Sequence, residues 1–324
     1  MKTGKIKVLL LLFLSLSLLP ACTSNGNEEY DTEVSRFLKD MGLYLEQKFE
    51  EQAGWEVRAI SQDFDEEVYD LQLLTILAFG STQLKLHLTS YESDYMANAS
   101  ISSFEVPPGS DSYSDCAFVV RPNANLRAPL MHGDGLKYMA GMGGKLSMDF
   151  YIVEPDYEYY RKLYKDNDTK FQRIIEEIKS ERIETFFGSE TENLETALEL
   201  VDEWRVTESS SYTDHLNTYK TKYRLETEDP GKDNATAIER YTEAAYEAFT
   251  IYVDAYMNSL NSLIAEDNET LMQANITGIS NFIKNQVEND FVYFMGSMIL
   301  GAELDTYFLD AFWREDVYFT RLEE

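Results

Sequence analysis

The chain has 324 residues and carries 58 acidic against 28 basic side chains, which gives a net charge of −30. This charge excludes a typical nucleic-acid-binding protein, because such proteins need a basic surface that displaces the counterions of the phosphates. A disordered acidic tail is excluded as well, since 44% of the residues are hydrophobic and 13% are aromatic. The length suffices for one large domain or two ordinary ones.

The first 30 residues have the pattern of an export signal. Three lysines precede an apolar stretch over residues 8–19, which is short for a membrane span. The following LPAC, with Cys22 and a polar stretch after it, resembles a bacterial lipoprotein lipobox. The resemblance implies cleavage before Cys22 and a diacylglycerol on its thiol, which would anchor the protein outside the cell membrane. The alternative is an ordinary signal peptide that happens to end near a cysteine.

This interpretation makes residues 1–21 the signal peptide and residues 22–30 a tether. Loss of Lys2, Lys5 and Lys7 changes the net charge from −30 to −33. Residues 31–320 are predicted to form a single domain.

A helix is predicted to begin near residue 31, because an Asp-Thr-Glu cap precedes an apolar face that runs from Val34 to Phe49. Residues from about 55 to 155 then contain short runs that alternate apolar with polar side chains and are separated by Gly and Pro turns. This pattern predicts an antiparallel sheet of about five to seven strands. Cys116 lies in one apolar run and is predicted to be a buried structural thiol.

Residues from about 157 to 313 show helical periodicity. Helices are predicted over 157–180, 193–204, a long stretch that includes 241–263, 279–300 and 304–312, with a loop over 208–234. A strand-rich block with helices on both sides predicts an α+β fold, namely an α/β/α three-layer sandwich with a central antiparallel sheet. A doubly wound nucleotide-binding sheet is disfavoured, because strands and helices do not alternate.

The sequence lacks the motifs of several familiar metal, nucleotide-binding and catalytic sites. The three histidines, His87, His132 and His215, are not at helical ligand spacing, and HExxH and CxxC are absent, so no metal site is predicted. The chain has no P-loop, no GxGxxG and no GxSxG. We therefore expect no bound cofactor.

Two segments resemble the ferredoxin-dependent bilin reductases. In the first, the run 118–122 (FVVRP) is followed by 129–134 (PLMHGD), a glycine turn, and 148–150 (MDF). In the second, Asn289-Asp290 is followed by Gly301 and then by aromatic residues over 307–312. The order and spacing of both segments match the family's central sheet and C-terminal helices.

The resemblance implies that a linear tetrapyrrole is held between the sheet and the C-terminal helices. Asp134 and Asp290 match the two proton donors of the family and are the predicted catalytic residues. The residues predicted to bind the ligand are His132, Asn289, Glu105, Asp149 and Arg121. No bound cofactor is implied, and a catalytic protein would need an external one-electron donor.

The chain departs from the family in two respects. Five residues before Pro122, where the family often has His or Asn, it has Ala117. A charge of −33 outside the membrane would also repel ferredoxin, which is itself acidic and cytoplasmic, so the electron donor is left open. These departures favour an alternative, a lipid-tethered ligand-binding or interaction module without redox chemistry. A third possibility is an exported lipoprotein of unrelated fold.

Overall fold

The computed structural model describes residues 28–60, 68–70, 83–137, 144–206, 217–231, 235–289 and 306–314. Within these ranges an antiparallel sheet lies between helices, which confirms the predicted α+β sandwich. The strands are β1 (Glu56–Val57), β2 (Val68–Asp70), β3 (Gln83–Glu92), β4 (Met96–Glu105), β5 (Tyr113–Pro122), β6 (Leu130–Lys137), β7 (Gly144–Tyr151) and β8 (Leu225–Glu228). The α-helices are α1 (Glu28–Glu50), α2 (Tyr157–Leu163), α3 (Asp168–Phe187), α4 (Thr191–Leu200), α5 (Ala235–Ser262) and α6 (Glu269–Asn289), and a π-helical turn spans Thr306–Phe312.

The sheet follows the chain order closely. Its strands are arranged β1-β3-β4-β5-β6-β7-β8, and β2 also pairs with β3. All these pairings are antiparallel. Residues that lie directly opposite each other in such a ladder share a face, and the faces alternate along each strand. The register therefore assigns every side chain to one of two faces.

One face of the sheet is apolar and forms the main core. This apolar face carries Phe118, Met148 and Phe150, which are buried. Helices α1 and α5 cover it: the rings of Phe118 and Phe249 lie 5.8 Å apart, and Phe150 stacks on Tyr252 at 5.4 Å. Burial of this surface is the main source of stability for the domain. Cys116 is also fully buried here, as predicted, and desolvation raises the pKa of its thiol.

Two glycines of β6 allow this close packing. A Cβ atom added to Gly135 would lie 2.6 Å from Cδ2 of Leu38 on α1. A Cβ atom added to Gly133 would lie 2.6 Å from Cζ of Phe118 and 2.8 Å from the backbone oxygen of Ser147. Both glycines lie on the apolar side, so the middle of β6 carries its side chains on the other face.

The opposite face of the sheet is mixed: it buries Leu86, Val119 and Leu130 but also carries many polar side chains, and we call it the polar face. This polar face carries Ser100, Ser102 and Asp134. Residues 306–314, which we call the 306–314 segment, cover it on β3 and β4, and α6 packs beside the end of β7, where the rings of Tyr151 and Phe282 lie 5.1 Å apart. Ser100 Oγ donates a hydrogen bond of 2.7 Å to the carbonyl of Ala311 in that segment. Within the described ranges, no helix has the length and apolar composition needed to span a bilayer.

The helical block differs from the sequence prediction in three places, the first being that α6 begins at Glu269 rather than near residue 279. The predicted helix over 157–180 is two helices, because the side chain of Asn167 accepts a hydrogen bond from the backbone N–H of Lys170 and caps a new helix. Part of the predicted loop over 208–234 forms β8, which pairs with β7. Its Thr227 is fully buried and hydrogen-bonded at 2.9 Å to the hydroxyl of Tyr241, so tertiary contacts outweigh its polar composition.

Candidate functional site

The centre of the polar face is a row of small and polar side chains. In the register of β4, β5, β6 and β7, Ser102 lies opposite Ala117, Ala117 opposite Asp134, and Asp134 opposite Ser147. Ala117, Asp134 and Ser147 are half-buried, whereas the residues that precede and follow them on the apolar face are buried. We call these four residues the central row. Polar groups at this depth can contact a ligand without losing their own solvation entirely.

Asp134 is the acidic member of the central row. Its Oδ2 lies 3.2 Å from the ammonium of Lys145 on β7, and the two side chains are 27% and 23% exposed. Gly133 and Gly135 flank it on the strand and admit Phe118 and α1 on the reverse side. The strand therefore projects this carboxylate from a closely packed support.

A second carboxyl group, that of Asp115, lies beside Asp134 on the same face. Asp115 is opposite Leu136 in the β5–β6 ladder, so it is a diagonal neighbour of Asp134. Desolvation, and then the charge of Asp134, raises the pKa of Asp115 to about 8, although Lys145 acts in the opposite direction. The sequence prediction missed this residue. The sequence feature that could have pointed to Asp115 is its position two residues before Ala117, because alternate residues of a strand lie on the same face.

The 306–314 segment brings a hydroxyl group to the central row. Tyr307 and Ser102 share a hydrogen bond of 2.7 Å between their hydroxyl oxygens. Desolvation raises the pKa of Tyr307, and the charge of Asp115 contributes in the same direction. The phenol of Tyr307 therefore remains protonated at neutral pH and can act as a hydrogen-bond donor.

His132 belongs to the next row of the polar face, opposite Asp149. Its half-buried imidazole is surrounded by aromatic rings: the ring centroids of Tyr151, Phe312 and Trp313 lie 5.9, 6.0 and 5.8 Å away. This arrangement places His132 two residues before Asp134, on the same face. The structure thus brings together these two residues predicted from the sequence.

Arg121 is fully buried on the polar face, where it fastens the 306–314 segment. It donates a hydrogen bond of 2.7 Å to the carbonyl of Arg314 and another to the carbonyl of Trp313. Arg58 and Asn98 hold the same segment, with hydrogen bonds of 2.7 Å to the carbonyls of Asp310 and Phe312, respectively. Arg121 therefore holds in place the 306–314 segment, which covers part of the polar face.

Asp149 is buried and binds a neighbouring loop. Its carboxylate accepts hydrogen bonds from the hydroxyl of Thr221 at 2.7 Å and from the backbone N–H groups of Thr221 and Phe150. Desolvation raises the pKa of Asp149 to about 6, and these donors limit the rise. Asp149 thus fixes the 217–224 loop beside the polar face.

Glu105 lies on the other face of β4, close to the β4–β5 turn. Its carboxylate accepts a hydrogen bond of 2.7 Å from the backbone N–H of Asp111 and lies 3.4 Å from Nε2 of His87. Desolvation alone would raise the pKa of Glu105, but the donors of Gly109, Asp111 and His87 together lower it. The structure therefore does not bring Glu105 near Asp134.

The remaining predicted residues lie at or beyond the limits of the described ranges. Asn289 is the exposed last residue of α6, and its amide donates a hydrogen bond of 2.8 Å to the side-chain oxygen of Asn285. Asp290 and Cys22 lie outside the described residues. Among the residues that the structure describes, no group of three or more His, Cys, Asp or Glu side chains is arranged to hold a metal ion.

The fold is similar to that of a known bilin-binding enzyme. Phytochromobilin synthase from tomato, solved in complex with biliverdin, superposes with a TM-score of 0.56 at 12% identity. The similarity covers 85% of this chain and 82% of the tomato protein. That enzyme is a ferredoxin-dependent bilin reductase, so the fold is the one that the two sequence segments resemble. No model of a protein family matches the chain, and no curated protein matches it.

Proposed function

We propose that this protein is a lipoprotein, anchored outside the cell membrane by a lipid on Cys22, that binds and reduces a linear tetrapyrrole on its polar face. The observation that carries the proposal is the central row, in which Asp134 projects from the middle of the sheet. The row lies in a fold shared with a protein that was solved with biliverdin bound. The ligand would lie between the sheet, α6 and the 306–314 segment.

The chemistry of a linear tetrapyrrole suits this surface. Its pyrrole N–H groups are donors, and Asp134 is an acceptor that Lys145 holds in place. Reduction of one double bond adds two electrons and two protons, and a carboxyl group in a partly desolvated site can supply a proton. Asp134 is the proposed first proton donor and Asp290 the second. The electrons would come from an external one-electron carrier other than an acidic ferredoxin.

The other predicted residues are assigned by their contacts. His132 would contact the ligand, because it shares the face of Asp134 and is enclosed by aromatic rings. Arg121 and Asp149 would act as positioning residues, because their hydrogen bonds fasten the 306–314 segment and the 217–224 loop. Asn289 would border the site through its neighbour Asp290.

A biliverdin titration tests binding, and a single-turnover experiment tests reduction. Purified protein is expected to shift the visible absorption of biliverdin at about micromolar concentration. Addition of a one-electron reductant should then convert the bound pigment. Asp134→Asn should retain binding within about threefold and slow reduction about a hundredfold. Asp111→Asn, an exposed carboxylate paired with Lys39, is the matched control. Failure of the wild-type protein to bind biliverdin would contradict the proposal.

A non-catalytic tetrapyrrole-binding lipoprotein is the second candidate. The observation that favours it is Ala117, which lies opposite Asp134 at the position where the family often has His or Asn. This candidate predicts a spectral shift with biliverdin and no conversion after addition of the reductant. Asp134→Asn would then leave the affinity for biliverdin nearly unchanged.

The anchor can be tested separately. Mass spectrometry of the mature protein should find a diacylglycerol-modified Cys22 as its first residue. Cys22→Ser should release the protein from the membrane fraction. An unmodified N-terminus at another residue would contradict the lipoprotein assignment and leave the tetrapyrrole proposal intact.

A further inference from the structure

Asp115 is a carboxyl group that neither the sequence resemblance nor the assignments above use. It projects from β5 onto the polar face, diagonally opposite Asp134 on β6. Diagonal neighbours on adjacent antiparallel strands are about 7 Å apart, which is within reach of two carboxyl groups through one water molecule. The two acids therefore form a pair on the same surface.

Among the described residues, the groups near Asp115 come from β4, β6, β7 and the 306–314 segment. Phe104 on β4 and Leu136 on β6 flank it in its own row and provide apolar surface. Asp134 adds a negative charge, and Tyr307 approaches from the 306–314 segment. Lys145 is the cation of this group, and its ion pair is with Asp134. Asp115 is thus beside a like charge and partly enclosed by apolar side chains.

We propose that Asp115 stores the proton that a bound tetrapyrrole takes up through Asp134. This inference rests on the proposed function. In each cycle the O–H bond of Asp115 breaks and its proton goes to the carboxylate of Asp134, which passes a proton on to form one new C–H bond of the reduced pigment. Asp290 gives the second proton, and a proton from the solvent then restores the O–H bond of Asp115. The external one-electron carrier supplies both electrons. Asp115 acts through Asp134 and is therefore a positioning and proton-supplying residue.

The protonation state of Asp115 agrees with this role. Desolvation and the charge of Asp134 raise the pKa of Asp115 to about 8. At neutral pH its carboxyl group is therefore largely protonated, whereas an ordinary Asp would be ionised. A carboxyl group that its surroundings keep protonated at neutral pH is a recurrent way of providing an acid in a site.

An infrared titration without any ligand tests the stored proton. The difference spectrum between about pH 7 and pH 9 should show the loss of one protonated carboxyl group in the wild-type protein. Asp115→Asn should abolish this signal. Asp149→Asn should retain it, because the pKa of Asp149 is about 6 and this carboxyl group titrates below the interval. Absence of the signal from the wild type, or its persistence in Asp115→Asn, would overturn the proposal.

A pH profile of single-turnover biliverdin reduction tests the transfer. Asp115→Asn should leave the Kd for biliverdin within about twofold and slow reduction about a hundredfold at neutral pH. The decline of the wild-type rate between about pH 7 and pH 9 should disappear, which a merely structural residue would not cause. Asp111→Asn is again the control. If Asp115→Asn reduced biliverdin with an unchanged rate and pH profile, the proposed proton transfer from Asp115 would be overturned.

The two experiments separate the two claims. If the wild-type protein does not bind biliverdin, the proposed function fails, and the transfer step fails with it. The infrared titration still decides whether Asp115 holds a proton. If biliverdin binds and is reduced while the infrared signal is absent, the proposed function stands and the proton store is overturned.

Discussion

Ala117 and Asp134 lie directly opposite each other in the β5–β6 ladder, with both side chains on the polar face of the sheet. A methyl group thus stands beside the carboxylate at the middle of the central row. Ser102, which is hydrogen-bonded to Tyr307, borders the methyl group on the other side. The smallest side chain of the row therefore lies between the carboxylate of Asp134 and the hydroxyl group of Ser102.

Enlarging Ala117 should block the proposed ligand position. Ala117→Leu adds three carbon atoms to a half-buried position beside Asp134, and we expect the affinity for biliverdin to fall at least about tenfold because the planar ligand would lose its contact. Ala128→Leu, at a half-buried position in the β5–β6 loop, is the matched control. Absorption titrations of both variants measure the effect. Equal affinities would place the ligand elsewhere.

Removing the guanidinium of Arg121 should loosen the 306–314 segment. Arg121→Met leaves the carbonyls of Trp313 and Arg314 without these donors, and we expect the free energy of unfolding to fall by about 3 kcal/mol. The matched control is Arg127→Met, since Arg127 is exposed. Urea unfolding measures both variants. The same midpoint for both would show that Arg121 does not fasten this segment.

Asp149 should impose a pH dependence on stability. Its pKa is raised from 3.8 to about 6 in the folded protein, so folding favours the protonated form. The contribution of Asp149 to stability is therefore fully present below about pH 4 and is lost as the pH rises to about 6.

The Asp149→Asn variant has no ionisable group at this position, so it should lack this loss of stability with rising pH. The difference in the free energy of unfolding between variant and wild type should shift by roughly 3 kcal/mol in favour of the variant between about pH 4 and pH 7. Denaturant unfolding at several pH values measures the difference, with Asp111→Asn as the control. Parallel curves for Asp149→Asn and the wild type would contradict the prediction.

Replacing either glycine of β6 by alanine should destabilise the protein. We expect Gly135→Ala and Gly133→Ala each to lower the free energy of unfolding by about 1–3 kcal/mol, because each added Cβ would lie 2.6 Å from a neighbouring side-chain atom. For Gly135 that atom is the end of the Leu38 side chain. For Gly133 the backbone oxygen of Ser147 lies 2.8 Å away as well.

A double-mutant cycle can distinguish the two sites. Truncating Leu38 to Ala should recover about 1 kcal/mol of the cost of Gly135→Ala, because the clashing atom is removed. Replacing Phe118 by Leu should recover less of the cost of Gly133→Ala, since the backbone of Ser147 remains. Equal coupling energies would mean that β7 moves away from β6 in the Gly133 variant.

The sandwich could be predicted because its periodicities are local. The alternation in β3 and β7, the apolar run in β5 and the apolar stripe on α5 each occur within one stretch of sequence. β8 was missed, because the sequence around Leu225 is polar and its burial depends on β7 and Tyr241. Local sequence cannot show such tertiary partners.

The site was predicted less completely than the fold. Asp134 and His132 lie on one face, as expected for a pocket, because a strand spacing of two residues fixes their common direction. Asp115 was overlooked, because its proximity to Asp134 depends on the register of β5 and β6. Glu105 lies on the other face of the sheet from Asp134, and this too depends on strand pairing that the sequence alone does not reveal.

The hydrogen bonds of the 306–314 segment link residues far apart in the chain. Arg58 reaches Asp310 across 252 positions, and Asn98 reaches Phe312 across 214. Because loop closure must precede such contacts, folding of the polar face has to wait until residues 306–314 have been synthesised. Without this segment the arginines and serines that bind it would be hydrated, so any pocket above the central row depends on the 306–314 segment being in place.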